Sequence, residues 1–183
     1  MSTQTRLMTA DEFLEMPDDG LLHELIRGVV VAMSLPGGRH GKVAMKIGRL
    51  VGTYAEDRKL GEAFAAETGF LIERDPDTVR GPDVAFVRAE RLAEITDPDK
   101  HVPFAPDLAV EVLSPNDRPD DVEEKVQEWL AAGSMAVWTV DPRKKTVTVH
   151  RTGADPITLT EDQDLDGGEV LPGFVCRIAL FFA

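Results

Sequence analysis

Two acidic residues stand in segments whose other residues are typical of buried strands. Asp83 is near the start of the run Pro82–Val87, and Glu111 lies inside the apolar run Leu108–Leu113. If side chains alternate along that strand, Glu111 shares a face with apolar neighbours, where a carboxylate is costly unless it is paired or bound to a metal. The alternative is that Glu111 faces solvent. We favour a functional role for both acids.

Lys125 and a third acid, Glu24, also lie beside apolar residues of predicted elements. Lys125 lies in a predicted helix over residues 117–132, about 60° from the apolar stripe formed by Val122, Val126 and Trp129. Its stem can follow the core while its amine reaches an acidic site, although boundary lysines without a role are common. Glu24 lies in the predicted strand Leu22–Ile26, on the same face as two apolar residues. Both are candidate site residues.

One histidine stands where the first long helix is predicted to begin. His40 follows the sequence Pro36-Gly37-Gly38-Arg39. A lone histidine at such a place is more often a surface residue at a helix end than a catalytic one, and we interpret His40 in that way.

The elements around these residues predict a mixed α/β fold. The periodicity indicates a short helix capped by Thr9, a hairpin with its turn at Arg27-Gly28, a long helix over residues 39–58 ended by Gly61, several strands, and the second long helix. Further strands follow, and the last is expected at Phe174–Phe182. We expect a mixed central sheet covered by the two long helices.

Composition limits the class of protein. The chain has 183 residues, which predicts a single domain over residues 1–183. Its 20 basic and 33 acidic residues give a net charge of −13, which argues against a broadly basic, loosely nucleic-acid-binding surface. A local basic strip remains open on the first long helix, at Arg39, Lys42, Lys46 and Arg49.

The cysteine count and the hydropathy of the sequence predict where in the cell the protein is located. Cys176 is the single cysteine, so an intramolecular disulfide and a cysteine-based zinc site are excluded. The sequence has no apolar run of 18 residues and no signal-peptide core at its start, so we expect no membrane association. These features predict a cytoplasmic protein.

The ordered motifs resemble a known family. Over about residues 8–182 the chain is similar to the Uma-type "putative restriction endonuclease" family of bacteria, within the PD-(D/E)XK nuclease superfamily. The matching residues are Glu24-Leu25-Ile26-x-Gly28, His40, Pro82-Asp83, Val110-Glu111-Val112-Leu113-Ser114-Pro115, Asp121, Lys125, Trp138 and Leu171-Pro172-Gly173-Phe174. The resemblance implies a restriction-endonuclease-like core with an N-terminal hairpin.

The resemblance also implies a reaction, the hydrolysis of DNA phosphodiester bonds with Mg²⁺ or Mn²⁺. Asp83, Glu111 and the carbonyl of Val112 would hold the cation, because hard divalent cations prefer oxygen ligands. The superfamily lysine normally stands two residues after the second acid, where this chain has Leu113. The resemblance implies that Lys125 replaces it, with Glu24 completing the acidic cluster as the fourth catalytic residue.

Two other functions stay open on the sequence. One is a nuclease-fold protein that binds DNA or regulates a partner without cutting, and the other is an interaction domain whose acids are solvated. If Asp83, Glu111 and Lys125 converge in one cleft, the interaction domain is disfavoured, and the endonuclease and the non-cutting module remain. Since cutting both strands is simplest with two-fold symmetry, we also expect a homodimer, through the apolar C-terminal run Ile178–Phe182.

Overall fold

A computed structural model describes residues 6–183. The helices within this range are α1 (Ala10–Leu14), α2 (Gly38–Arg58), α3 (Pro119–Ala131) and α4 (Ala179–Phe182), with a 3-10 helix at Ala89–Glu94. The strands are β1 (Leu22–Ile26), β2 (Val29–Met33), β3 (Gly61–Ala65), β4 (Phe70–Glu73), β5 (Thr78–Arg80), β6 (Val84–Arg88), β7 (Leu108–Val112), β8 (Ala136–Asp141), β9 (Thr146–Arg151), β10 (Ala154–Thr160), β11 (Asp164–Asp166) and β12 (Val175–Arg177). Across residues 6–183, no helix combines the length and hydropathy needed to cross a bilayer.

The strands form one large sheet and two smaller ones. The central sheet has the order β10-β9-β8-β7-β6-β3, in which β7 and β8 are parallel and the other neighbours antiparallel. A second sheet has the order β2-β1-β5-β4, and β11 pairs with β12. The predicted mixed α/β architecture is confirmed.

The two long helices cover opposite faces of the central sheet. Since side chains alternate along a strand, Val110 packs in one core with Ile47 of α2, and Ala109 packs in the other with Trp129 of α3. Glu111 has the same parity as Ala109. The sequence of β7 therefore places this carboxylate beneath α3 rather than in solvent.

The N-terminal elements follow local sequence signals. The Thr9 side chain accepts a hydrogen bond from the Glu12 amide, and the Glu12 carboxylate accepts one from the Thr9 amide, which is the predicted capping box. In the hairpin, Leu22 pairs with Met33 and Ile26 with Val29, on either side of the predicted two-residue turn. These local predictions are confirmed.

The helix α2 ends at Arg58 as predicted, but the residue that terminates it differs from the prediction. Lys59 caps the helix in a left-handed conformation with φ of 56°, and Gly61 opens β3 instead. Gly61 has φ of 150°, and a Cβ atom there would lie 2.0 Å from the Val87 carbonyl oxygen. The glycine therefore allows a close approach of β3 to β6, and is not a helix stop.

The predicted last strand is wrong beyond residue 177. The chain forms the short strand β12 and then α4, in which Ile178 and Phe181 are fully buried and Leu180 is 50% exposed. Burial at a three-residue spacing is that of a helical turn, whereas a strand would bury alternate residues. Ile178 and Phe181 therefore fill the core of their own chain, which leaves less apolar surface for the predicted dimer contact, and the homodimer stays a prediction.

Candidate active site

The start of β6 lies beside the end of β7, and this brings Asp83 to the carboxyl end of β7. Val84 pairs with Val110, and the Asp83 amide donates to the Val110 carbonyl oxygen at 3.0 Å. The Asp83 Oδ2 accepts a hydrogen bond from the Val112 amide at 2.7 Å. The carboxylate is therefore fixed against the backbone that follows Glu111.

Glu111 is buried, with 9% of its surface exposed, and both carboxylate oxygens have partners. Its Oε1 accepts a hydrogen bond from Trp129 Nε1 at 2.8 Å, and its Oε2 lies 3.1 Å from Lys125 Nζ. Burial raises the pKa of Glu111 to about 7, although the Lys125 charge opposes the shift and the Asp83 charge adds to it. The side chain is therefore poised to change charge near neutral pH.

Lys125 lies between two carboxylates. Its Nζ is 3.1 Å from Glu111 Oε2 and 3.3 Å from Glu24 Oε1. Burial alone would lower the pKa of Lys125, but the charges of Glu111 and Glu24 outweigh burial and raise it. The ammonium group therefore stays charged, which suits electrostatic stabilisation and does not suit a general base.

Glu24 is held by several donors. Its Oε2 accepts from Arg80 Nη1 at 2.7 Å, and its Oε1 accepts from the Gly81 amide at 3.2 Å in addition to facing Lys125. Burial alone would raise the pKa of Glu24, but Lys125 and Arg80 lower it below its ordinary value. Arg80 Nε also donates to Glu128 Oε2 at 2.9 Å, so the network links β1, β5 and α3.

His40 corrects our sequence interpretation, because its side chain is only 12% exposed and points to the site. Its Nε2 lies 3.2 Å from Asp83 Oδ2. Burial alone would lower the pKa of His40, but hydrogen bonding and charge from Asp83 and the Val112 backbone raise it. In α2, His40 precedes the buried Val43 and Ile47 by three and seven residues, so helical periodicity turns it inward.

The structure thus gathers every predicted site residue at one end of β7. Lys125 contacts Glu111 and Glu24, while Asp83 and the backbone of Val112 lie next to Glu111. Sequence reasoning missed three partners, Arg80, Trp129 and Glu128. A signal existed for the last two, since they follow Lys125 by four and three residues and so share its side of the helix.

The donor set suits a hard divalent cation. Within residues 6–183, no group of three or more His, Cys, Asp or Glu side chains is arranged to hold a metal ion. Mg²⁺, however, commonly uses only one or two carboxylates and completes its octahedron with waters and substrate phosphate. Asp83, Glu111 and the Val112 carbonyl are oxygen donors of that kind, and they lie together at the carboxyl end of β7. The residues therefore fit the cation.

The pKa of Glu111 predicts how stability depends on pH without metal. Between its ordinary value of 4.5 and about 7, Glu111 stays protonated in the folded protein and ionises in the unfolded chain. Its contribution to the free energy of unfolding is therefore fully present below pH 4.5 and falls as the pH rises towards 7, by up to about 3 kcal/mol. Urea unfolding in a chelator at pH 5 and pH 7.5 measures the slope.

The variant Glu111→Gln isolates this contribution. His40 also has a raised pKa and adds a decline of the same sign above about pH 6.5, so the wild-type slope alone does not identify the group. Glu111→Gln should show a smaller loss of stability between the two pH values. An unchanged slope would show that Glu111 does not titrate in this range.

Comparisons with known proteins agree with the fold and with the family resemblance. Residues 10–179 match the Uma2 family, described as "Putative restriction endonuclease". A crystal structure from Anabaena variabilis, described as "a putative nuclease belonging to DUF820", is similar with a TM-score of 0.80 and 22% identity over 96% of this chain and 97% of that one. No curated protein matches the sequence. Because the family match spans most of the chain, this protein belongs to the Uma2 family of putative restriction endonucleases.

Proposed function

We propose that the protein is a metal-dependent DNA endonuclease whose catalytic residues are Asp83, Glu111 and Lys125. The observation that carries this proposal is the contact of Lys125 Nζ with Glu111 Oε2 at 3.1 Å, beside the Asp83 carboxylate. Phosphodiester hydrolysis needs oxygen ligands for a cation and a fixed positive charge for the phosphate, and these residues supply both. Family membership supports the same class of reaction.

The two acids and the Val112 carbonyl would hold Mg²⁺ or Mn²⁺. Such a cation, when bound, lowers the pKa of a coordinated water and stabilises negative charge on phosphate. Glu111 must lose its proton to act as a ligand, and the Lys125 charge favours that ionised form. Asp83 is oriented for the same task by the Val112 amide.

Lys125 takes the place of the superfamily lysine. The position two residues after Glu111 is Leu113, which cannot supply a charge. Lys125 reaches the site from α3 instead, and its raised pKa keeps it protonated. We infer that it stabilises charge on the phosphate and orients the attacking water.

Glu24 acts as a positioning residue in this proposal, rather than as the ligand of a second metal. Its two oxygens already face Arg80, the Gly81 amide and Lys125. Since Arg80 also binds Glu128 on α3, the contacts of Glu24 and Arg80 hold α3, and with it Lys125, in place over the sheet. His40 would similarly orient Asp83.

Substrate binding must overcome the net charge of −13. Arg39 and Lys42 are exposed on α2 and flank His40 in sequence, and Lys46 and Arg49 continue the basic strip. Cations placed beside the site can neutralise backbone phosphates locally, so that binding would be weak and strongly dependent on salt. The proposed substrate is therefore DNA, and the proposed location is the cytoplasm, as the sequence predicts.

Cleavage of a supercoiled plasmid tests the proposal. We expect nicked and then linear product with Mg²⁺ or Mn²⁺ and none with a chelator. A matched sample of Asp83→Asn, in which the side-chain shape is kept and the charge removed, should be inactive. Absence of wild-type cleavage with both metals on several DNA substrates, although the protein is folded, would reject the endonuclease.

One observation favours the alternative of a nuclease-fold module that does not cut. Both oxygens of Glu111 already have protein partners, Trp129 and Lys125, which would compete with a cation. In that case DNA should bind without metal-dependent cleavage, and Mn²⁺ should give no binding heat in calorimetry. The third possibility, an interaction domain with solvated acids, disagrees with the burial of Glu24 and Glu111.

A further inference from the structure

Among the residues that the structure describes, the four-stranded sheet has one covered edge and one open edge. At the β4 edge, the Leu71 amide donates to the Val102 carbonyl oxygen at 2.8 Å, and the Val102 amide donates to the Gly69 carbonyl oxygen at 2.9 Å. At the other edge β2 pairs with β1 alone within residues 6–183. An open edge presents unpaired backbone groups, which is a template for pairing with another strand.

The features that usually protect an edge strand are missing from β2. Its register with β1 is continuous from Met33 to Val29, so it has no bulge, and it contains neither proline nor charge. Val29, Val31 and Met33 are 52%, 36% and 39% exposed. Residues 28–38 contain no charged side chain in a chain of net charge −13. Two copies can therefore meet at this segment without placing their acidic residues against each other.

We propose that β2 pairs antiparallel with β2 of a second copy, which joins two four-stranded sheets across a two-fold axis. This interface gives a structure to the homodimer that the sequence predicts. Its biological role rests on the proposed endonuclease function, but the experiment that tests the interface does not. The occupant is a second copy because antiparallel pairing of one strand with itself is two-fold symmetric, and because that copy brings the same uncharged edge.

The hairpin geometry fixes the register of this pairing. Ile26 and Val29 close a two-residue turn, so Val29, Val31 and Met33 direct their backbone groups to β1, and Val30 and Ala32 direct theirs outward. If the axis passes at Val31, Val30 of each copy exchanges N–H···O bonds with Ala32 of the other. On one face Val31 then meets Val31, and Val29 meets Met33, which buries the exposed apolar side chains.

This register brings the two candidate sites near each other. Glu24 is the cross-strand partner of Val31 in the hairpin. The Glu24 Cα atoms of the two copies would thus lie three strand spacings apart, about 14 Å. The arrangement offers one site to each strand of a duplex, which the monomer alone does not.

The variant Ala32→Pro tests the interface. It removes an outward amide and leaves the bonds to β1 intact, whereas Ala32→Thr adds similar bulk and keeps the amide as a matched control. In sedimentation equilibrium at micromolar concentration, wild type and Ala32→Thr should be dimers. Ala32→Pro should raise the dimer dissociation constant at least about tenfold, because each copy loses a hydrogen bond. Circular dichroism checks folding.

Two further measurements keep the proposal falsifiable if Ala32→Pro fails to fold. Met33→Glu places charge opposite Val29 of the second copy and should also give monomers. Amide exchange of Val30 and Ala32 should slow as the concentration rises. A wild type that stays monomeric, or a folded Ala32→Pro that is as dimeric as wild type, overturns the interface. Neither measurement uses DNA, so a dimer that does not cleave rejects only the endonuclease.

Discussion

Glu111→Gln should lower metal-dependent DNA cleavage by about 1000-fold while the protein stays folded. The change keeps the shape of the side chain and an acceptor for Trp129 Nε1, but it removes the charge that binds the cation and faces Lys125. Stabilisation by a bound cation is worth several kcal/mol, and each 1.36 kcal/mol is tenfold in rate. Plasmid nicking with Mg²⁺ measures the loss.

The control for this variant is Glu62→Gln, at an exposed position of β3 in the same sheet, which should cleave as wild type does. Titration calorimetry with Mn²⁺ should show binding to wild type and weak or no binding to Glu111→Gln. Metal-free thermal stability should be equal or higher, because a buried carboxylate beside Asp83 is removed. Full activity of Glu111→Gln would remove Glu111 from the catalytic set.

The sequence predicted most of the fold because its signals are local. The capping box at Thr9 and the two-residue turn at Arg27-Gly28 depend on residues close in sequence, and both appear as expected. The strand predicted for the C-terminal run was wrong because that segment carries no such local signal. An apolar segment has no local sign that distinguishes a strand from a helical turn, and here the packing of Ile178 and Phe181 into one core decides the outcome.

The candidate site divides in the same way. The period-2 pattern of β7 favoured a buried face for Glu111, and every residue of this strand is buried. The partner of Glu24 was not predictable, because Arg80 lies 56 residues away and only the pairing of β1 with β5 brings the two together. His40 was predictable, since it continues the buried stripe of Val43 and Ile47, but we weighed its position at the helix end above its phase.

Lys125→Met should reduce cleavage at least about 100-fold, the usual effect of losing one electrostatic stabiliser. The thioether side chain keeps most of the packing of the lysine stem, whereas the charge between Glu111 and Glu24 is lost. Without that charge the pKa of Glu111 should rise further, so part of the lost activity should return at higher pH as the carboxylate ionises. Nicking rates from pH 6.5 to 9 measure both effects.

Lys100→Met is the matched control, because Lys100 is an exposed lysine that pairs with Asp11 away from the site. It makes the same chemical change and should leave the rate unaltered.

Glu24→Gln separates the positioning of Lys125 from its charge. It keeps Lys125 charged but weakens its anchor, so it should lower the rate less than Lys125→Met and leave Mn²⁺ binding intact. If Lys125→Met cleaves as fast as wild type, Lys125 is a structural counter-ion of two buried acids. If Glu24→Gln abolishes Mn²⁺ binding, Glu24 is a metal ligand after all.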